Sequence, residues 1–225
     1  MINKMVKQLK SIILFIFTAF MSVSLSASEV TSHSVDVAMQ PLKQEWAEIK
    51  YVVSDKQKVS QLESLIKKVD VVASKHPSEA QPVVWRGTMM STMASLKSGF
   101  SALSSAKKAK KDLEMALARN ASAEKGYAHV ILGALYSKVP GKPIGFGSKE
   151  KAKRHFLTAL QMDPDGLDAN FFYGEFLLSQ GDFASAKKYL EVAQKSPVNA
   201  ENKVLDKGRR QEIAKAIETV NQKLA

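Results

Sequence analysis

The chain has 225 residues, 45% of them hydrophobic and 24% charged, which is enough for one domain with a sizeable core. It contains no cysteine. That excludes a disulfide framework, a zinc–thiolate site, a thiol nucleophile and a lipid anchor on a processed cysteine. The formal net charge is +11; Lys4, Lys7 and Lys10 supply three of these charges in a segment without acids, leaving +8 for the rest. Such a balance suits an acidic partner, peptidoglycan or an anionic membrane face. The lysines are interleaved with acids, as on a solubilising surface, so no nucleic-acid partner is expected.

In chain order, the three lysines precede an apolar run over residues 12–21 and then the small residues Ser22, Ser24, Ser26, Ala27 and Ser28. A basic start, a short apolar core and a small-residue exit predict a cleavable signal peptide over 1–27. The run is too short for a membrane-spanning helix, which needs roughly 20 apolar residues. The expectation is a periplasmic or secreted protein with no stable membrane span after cleavage. Residues 28–41 lack periodicity and read as a flexible leader.

Beyond residue 42 one signature recurs. Alanine, a bulky residue four later and alanine three later appear as Ala109, Leu113, Ala116; as Ala152, Phe156, Ala159; and as Ala186, Leu190, Ala193. Spacings of four and three place each triplet on one helix face, where small residues admit a second helix. Pro164 and Pro197 close two of these helices. Leu65, Val69 and Val72, followed by Pro77, form a degenerate copy. Each full triplet follows a helix that carries a glycine, Gly87, Gly133 or Gly174. Glycine inside a helix costs about 1 kcal/mol relative to alanine, so its recurrence implies a close helix crossing. Trp46 opens the corresponding first helix.

These residues resemble the tetratricopeptide repeat, most clearly over 171–197, and Ala152 to Ala186 spans that family's period of 34 residues. The expected fold is all-α: a right-handed solenoid of about four hairpins (42–79, 80–123, 124–166 and 167–199) in a domain spanning 42–225. A helix near 206–224 caps it, with Ile213, Ile217, Val220 and Leu224 facing inward. A closed helical bundle is the alternative.

Two repeats are longer than this period: Leu65 to Ala109 is 44 residues and Ala109 to Ala152 is 43. The excess falls at 95–105 and 137–148, which read as two long loops at equivalent turns, each with glycine beside phenylalanine. Loops longer than a fold requires are often binding loops. Their adjacency on one edge would bring Phe100 and Phe146 together.

The run 138–147, with Asp165-Gly166, Tyr173-Gly174 and Gly208-Arg209-Arg210, resembles exported tetratricopeptide proteins related to the periplasmic T component of tripartite transport systems. That resemblance implies an accessory of solute transport.

The candidate partner-binding residues are Phe100, Lys138, Lys142 and Phe146 on the two loops, and Tyr127, Asp168, Phe171 and Glu175 on the concave face, with Val130, Ala134 and Leu178 beside them. Gly145 and Gly147 match neither a phosphate-binding nor a dinucleotide fingerprint. No histidine pair has metal-ligand spacing, and no nucleophile stands beside a base. No cofactor, metal or catalytic residue is therefore expected. Arg209-Arg210 reads as an ion pair or cap at the end of the stack. The leading expectation is a non-enzymatic scaffold for a protein or peptide segment of the cell envelope; the alternative is capture of a small organic ligand.

Overall fold

The computed structural model describes residues 33–225, so the expected signal peptide lies outside the described residues. Residues 33–51 are helical, and Met39–Ala225 form one compact unit. Residues 33–41, expected to be part of a flexible leader, are helical, and 28–32 lie outside the described residues. Helical spacing already begins with Met39, which is buried with Trp46 and Ile49.

Within the compact unit, helix α1 (39–51) pairs with α2 (Asp55–Lys75), α3 (Gln81–Leu96) with α4 (Gly99–Arg119), α5 (Tyr127–Lys138) with α6 (Lys149–Met162), and α7 (Leu167–Ser179) with α8 (Phe183–Lys195). Helix α9 (Lys203–Leu224) packs on α8 and α7. This is the expected solenoid of four tetratricopeptide-like hairpins and a cap, with no strand among the described residues. Polar caps fix several helix starts. Ser148, Asp182 and Asn202 accept hydrogen bonds from the backbone N–H of Lys151, Ser185 and Leu205. No described helix is long and apolar enough to cross a membrane.

One interlock recurs in the last three hairpins. A Cβ on Gly87 would lie 2.7 Å from Leu113 Cγ, one on Gly133 would lie 2.6 Å from the Phe156 ring, and one on Gly174 would lie 2.8 Å from Leu190 Cγ. The glycine of each first helix thus faces the bulky residue of the following triplet. The alanines on either side of that residue are fully buried. Tyr173 and Phe176 add to this core, with ring centroids 5.9 and 5.6 Å from Phe156.

Residues 95–105 are not a loop. Helix α3 continues to Leu96, and α4 begins at Gly99, whose φ of +56° is left-handed. The extra residues lengthen the two helices: Ser105 and Ala106 extend the buried face of α4 back by one turn from Ala109. The second long segment, 139–148, is a loop held by its own backbone. Gly145 and Gly147 donate to Gly141 and Pro140 carbonyls at 3.0 and 2.9 Å, and Ser148 donates to Tyr136 at 2.9 Å. A side chain on Gly147 would strike the Val139 carbonyl, which explains the glycine there.

The cap also closes the stack. Gln44 Nε2 donates to the Glu201 carbonyl at 3.0 Å, and Asn202 Nδ2 donates to the Lys43 carbonyl at 3.1 Å. Tyr51 donates its hydroxyl to Glu212 at 3.1 Å, and Lys50 pairs with Glu212 at 3.3 Å. A Cβ on Gly208 would fall against the Tyr51 ring. The last helix therefore meets the first, and the concave face becomes a cavity ringed by helices and open to solvent on one side.

Candidate functional site: the enclosed cavity

That space is a cavity of about 1110 Å³. Helices α3, α5 and α7 form its walls, with the start of α4 beside them. Trp46 and Lys50 of α1 line it too, as do Arg209, Glu212, Ala216 and Thr219 of α9. The helices run along its length. Tyr127 and Lys138, at opposite ends of α5, both line it, and they are about 16 Å apart along the helix axis.

One end is aromatic and charged. Trp46, Trp85 and Tyr127 form a ladder with centroid separations of 5.4 and 5.6 Å. Arg209 is 1% exposed. It donates Nε to Asp168 at 2.6 Å and Nη1 to Glu212, and its guanidinium carbon lies 4.8 and 4.6 Å from the ring centroids of Phe171 and Phe172. Burial disfavours the Arg209 charge, but Asp168, Tyr51 and Glu212 outweigh it and raise its pKa. Burial, followed by repulsion from Arg209, lowers Lys50 to about 8. Burial raises Tyr127, whose hydroxyl lies within electrostatic range of Asp168 and Arg209.

Three buried donors at this end have no hydrogen-bond partner: Nη2 of Arg209, the hydroxyl of Tyr127, and Nε1 of Trp85, which alone of the three side chains does not line the cavity. The other end is a rim, where Phe100, Pro140, Ile144 and Leu178 line the cavity. Between them the wall is mostly apolar. Lys50, Lys97, Lys138, Lys215 and Arg209 line the space against only Glu175 and Glu212, so its charge is positive.

The structure separates the sequence candidates. Tyr127, Phe171, Glu175, Ala134 and Leu178 line the cavity, and Asp168 stands behind it as the partner of Arg209. Phe100 and Lys138 lie at the rim. Lys142 is exposed and lines nothing. Phe146 turns its ring edge to Tyr136 at 5.5 Å and lies under Lys110, so it does not meet Phe100, which is 92% exposed. The expected pairing of those two rings fails because 95–105 holds the ends of two helices and a two-residue link rather than a long loop; Ile144 is the residue of the second loop that shares the rim with Phe100. Val130 is buried in the core, and the neighbouring Ile131 faces the cavity instead.

The two adjacent arginines divide their roles. Arg210 caps α8, donating to the Gln194 and Ser196 carbonyls at 3.0 and 2.9 Å while pairing with Asp206. Arg209, about 100° round the helix, enters the cavity. The sequence signal for this was the face formed by Arg209, Glu212, Ala216 and Thr219, at spacings of three and four. The last apolar residue assigned to the cap, Leu224, is 48% exposed. His129 and His155, 26 residues apart, bring their Nδ1 atoms to 2.8 Å between α5 and α6. Among the described residues no group of three or more His, Cys, Asp or Glu side chains is placed to hold a metal ion.

A tetratricopeptide-repeat family model matches residues 147–201. The matched stretch holds α6, α7 and α8 in full. Tetratricopeptide repeats mediate protein–protein interaction. No curated protein matches the chain. The crystal structure of MamA is similar, with a TM-score of 0.43 and 16% identity, covering 77% of this chain and 96% of that one.

Proposed function

We propose that this protein is a non-enzymatic binding module that takes a small organic ligand into the cavity closed by α9 against α1. One observation carries this reading: the concave face, which would be an open groove in an uncapped stack, is walled on its remaining side by Arg209, Glu212, Ala216 and Thr219. Concave, largely apolar cavities with a few convergent polar groups suit small ligands. The resemblance to transport accessory proteins agrees with ligand capture. The basic and apolar start of the chain supports export, and sequencing the N-terminus of the exported protein tests that.

Ala216 supplies a wall position with room for a block. Native mass spectrometry of the protein purified from its own cell envelope should retain a bound small molecule, and Ala216→Trp should lose it while staying folded. A polypeptide bound in its place, indifferent to Ala216→Trp, would overturn the reading.

The second reading is recognition of an extended protein segment on the concave face, as the matched repeat family favours. A segment would enter that face at the rim, with more space if α9 parted from α1. Binding that strengthens when the closing contacts are removed would favour it.

A further inference from the structure

Partnerless donors buried at one end of a cavity raise the question of what they are for. A buried N–H or O–H without an acceptor costs about 1–3 kcal/mol, more when the group is charged. Most such groups in folded proteins have a partner. Two of them lie on the same cavity here. Nη2 of Arg209 and the hydroxyl of Tyr127 are both buried and without a partner, on side chains that line the space. The carboxylates nearby do not answer them: Asp168 is held by Arg209 Nε, and Glu212 is shared by Arg209 Nη1, Tyr51 and Lys50. This end of the cavity thus keeps two donors that its carboxylates leave unanswered.

We propose that this end is an anion-anchoring subsite, at which Arg209 and Tyr127 hold the carboxylate of an amphiphilic organic acid whose apolar body lies along α5 toward the rim. The inference rests on the cavity being the binding site. Three features set the class of ligand. The head must accept hydrogen bonds, because both unsatisfied groups donate them. An anionic head suits the cavity as a whole, whose lining carries more basic than acidic side chains, while at this end Arg209 and Lys50 are matched by Asp168 and Glu212 and the preference rests on the unanswered donors. The body must be apolar and extended, because Ile131, Ala134 and Leu135 make a continuous wall between Tyr127 and the rim.

Phe171 and Phe172 cover the guanidinium, with their rings 5.2 Å apart and edge to face. Phe171 is buried, whereas Phe172 is half-buried, and both line the cavity. Nη2 is buried beneath these rings, and Phe172 is the less buried of the two. The same ring would close over the head group, excluding water and strengthening the charge-assisted bonds.

The test compares sodium dodecanoate with neutral dodecanol, each titrated below its self-association concentration into the purified protein by calorimetry. Wild-type protein should bind dodecanoate at least about tenfold more tightly than dodecanol, the worth of one or two charge-assisted hydrogen bonds. Tyr127→Phe removes one donor and no volume. It should weaken dodecanoate about fivefold to tenfold and leave dodecanol unchanged. Arg209→Lys keeps the charge and loses the planar fork, and should abolish most of the preference. Should that variant fail to fold, Tyr127→Phe decides alone. Equal binding of the two probes overturns the anion subsite while leaving the cavity as the ligand site. A preference for dodecanoate that survives Tyr127→Phe intact, or dodecanol binding that falls with it, overturns the anchor as placed. Binding of neither probe overturns the subsite and the cavity reading together.

Discussion

The contacts within the hairpins and the contact that closes the stack are built from different materials. Inside a hairpin, a glycine on one helix receives a leucine or phenylalanine from the next, between alanines with no exposure at all. Between α1 and α9 a single contact of that kind, Gly208 against the Tyr51 ring, stands among side-chain amides on backbone carbonyls, one tyrosine hydroxyl and one ion pair. An apolar interlock draws on area removed from water and on close packing. A polar seam exchanges bonds with water for bonds within the protein, and each nets only about 0.5–1.5 kcal/mol. The hairpins should therefore hold the fold, and the closing seam should be the part that opens at low cost. Opening there would widen the cavity beyond its rim without the hairpins unfolding.

The strongest way to break this comparison is at an interlock. Phe156 is 1% exposed and faces Gly133, Tyr173 and Phe176. Phe156→Ala should cost about 3–5 kcal/mol in urea-induced unfolding, through lost transfer energy and a cavity that α5 and α7 cannot close. A loss below 1 kcal/mol would mean that the hairpins are not held by these contacts.

The next effect is at the seam. Gly208→Leu places a side chain against the Tyr51 ring, so α9 must move away from α1. The closing hydrogen bonds then exchange with water, and the expected loss is about 1–2 kcal/mol. Hydrogen exchange should rise in α1 and the first turns of α9 and stay unchanged in α5 to α8. Exchange rising equally throughout would show that closure and hairpins form one cooperative unit.

The two regions also differ in how far they can be read from sequence. The interlocks are periodic: Ala152, Phe156 and Ala159 announce one helix face, and Gly133 announces its counterpart. Gln44 and Asn202 belong to no period, and their bonds to backbone carbonyls join positions more than 150 residues apart. Nothing in the local pattern links them. Counting residues between repeat positions located the extra length at 95–105 but not its conformation, since added helical turns and an added loop lengthen a repeat alike. The candidate site was legible where helix phase decides it, at Tyr127, Phe171 and Glu175. It was not legible at Arg209, because the wall it belongs to exists only once the ends of the stack meet.

The smallest expected effects are on pH dependence, where the two regions separate by window. His155, beside His129 in the α5–α6 hairpin, has its pKa lowered to about 4 by burial and then by repulsion from His129. In the unfolded chain it titrates near its ordinary value of 6.5. Between these values the unfolded state binds more protons, so stability falls as pH drops through that range. The side chain is partly exposed, and the discounted loss is about 1 kcal/mol. Lys50, at the closing seam, titrates at about 8 in the folded protein against 10.5 unfolded. The unfolded state again binds more protons in between, so stability rises as pH goes from 8 to 10.5, by about 1–2 kcal/mol. Urea unfolding measured from pH 4 to 10.5 should show both slopes. His155→Phe should flatten only the acid one, and Lys50→Met only the alkaline one. If one substitution removed both slopes, the hairpin and the closing seam would be electrostatically coupled, and the division between a rigid apolar frame and a separable polar closure would not hold.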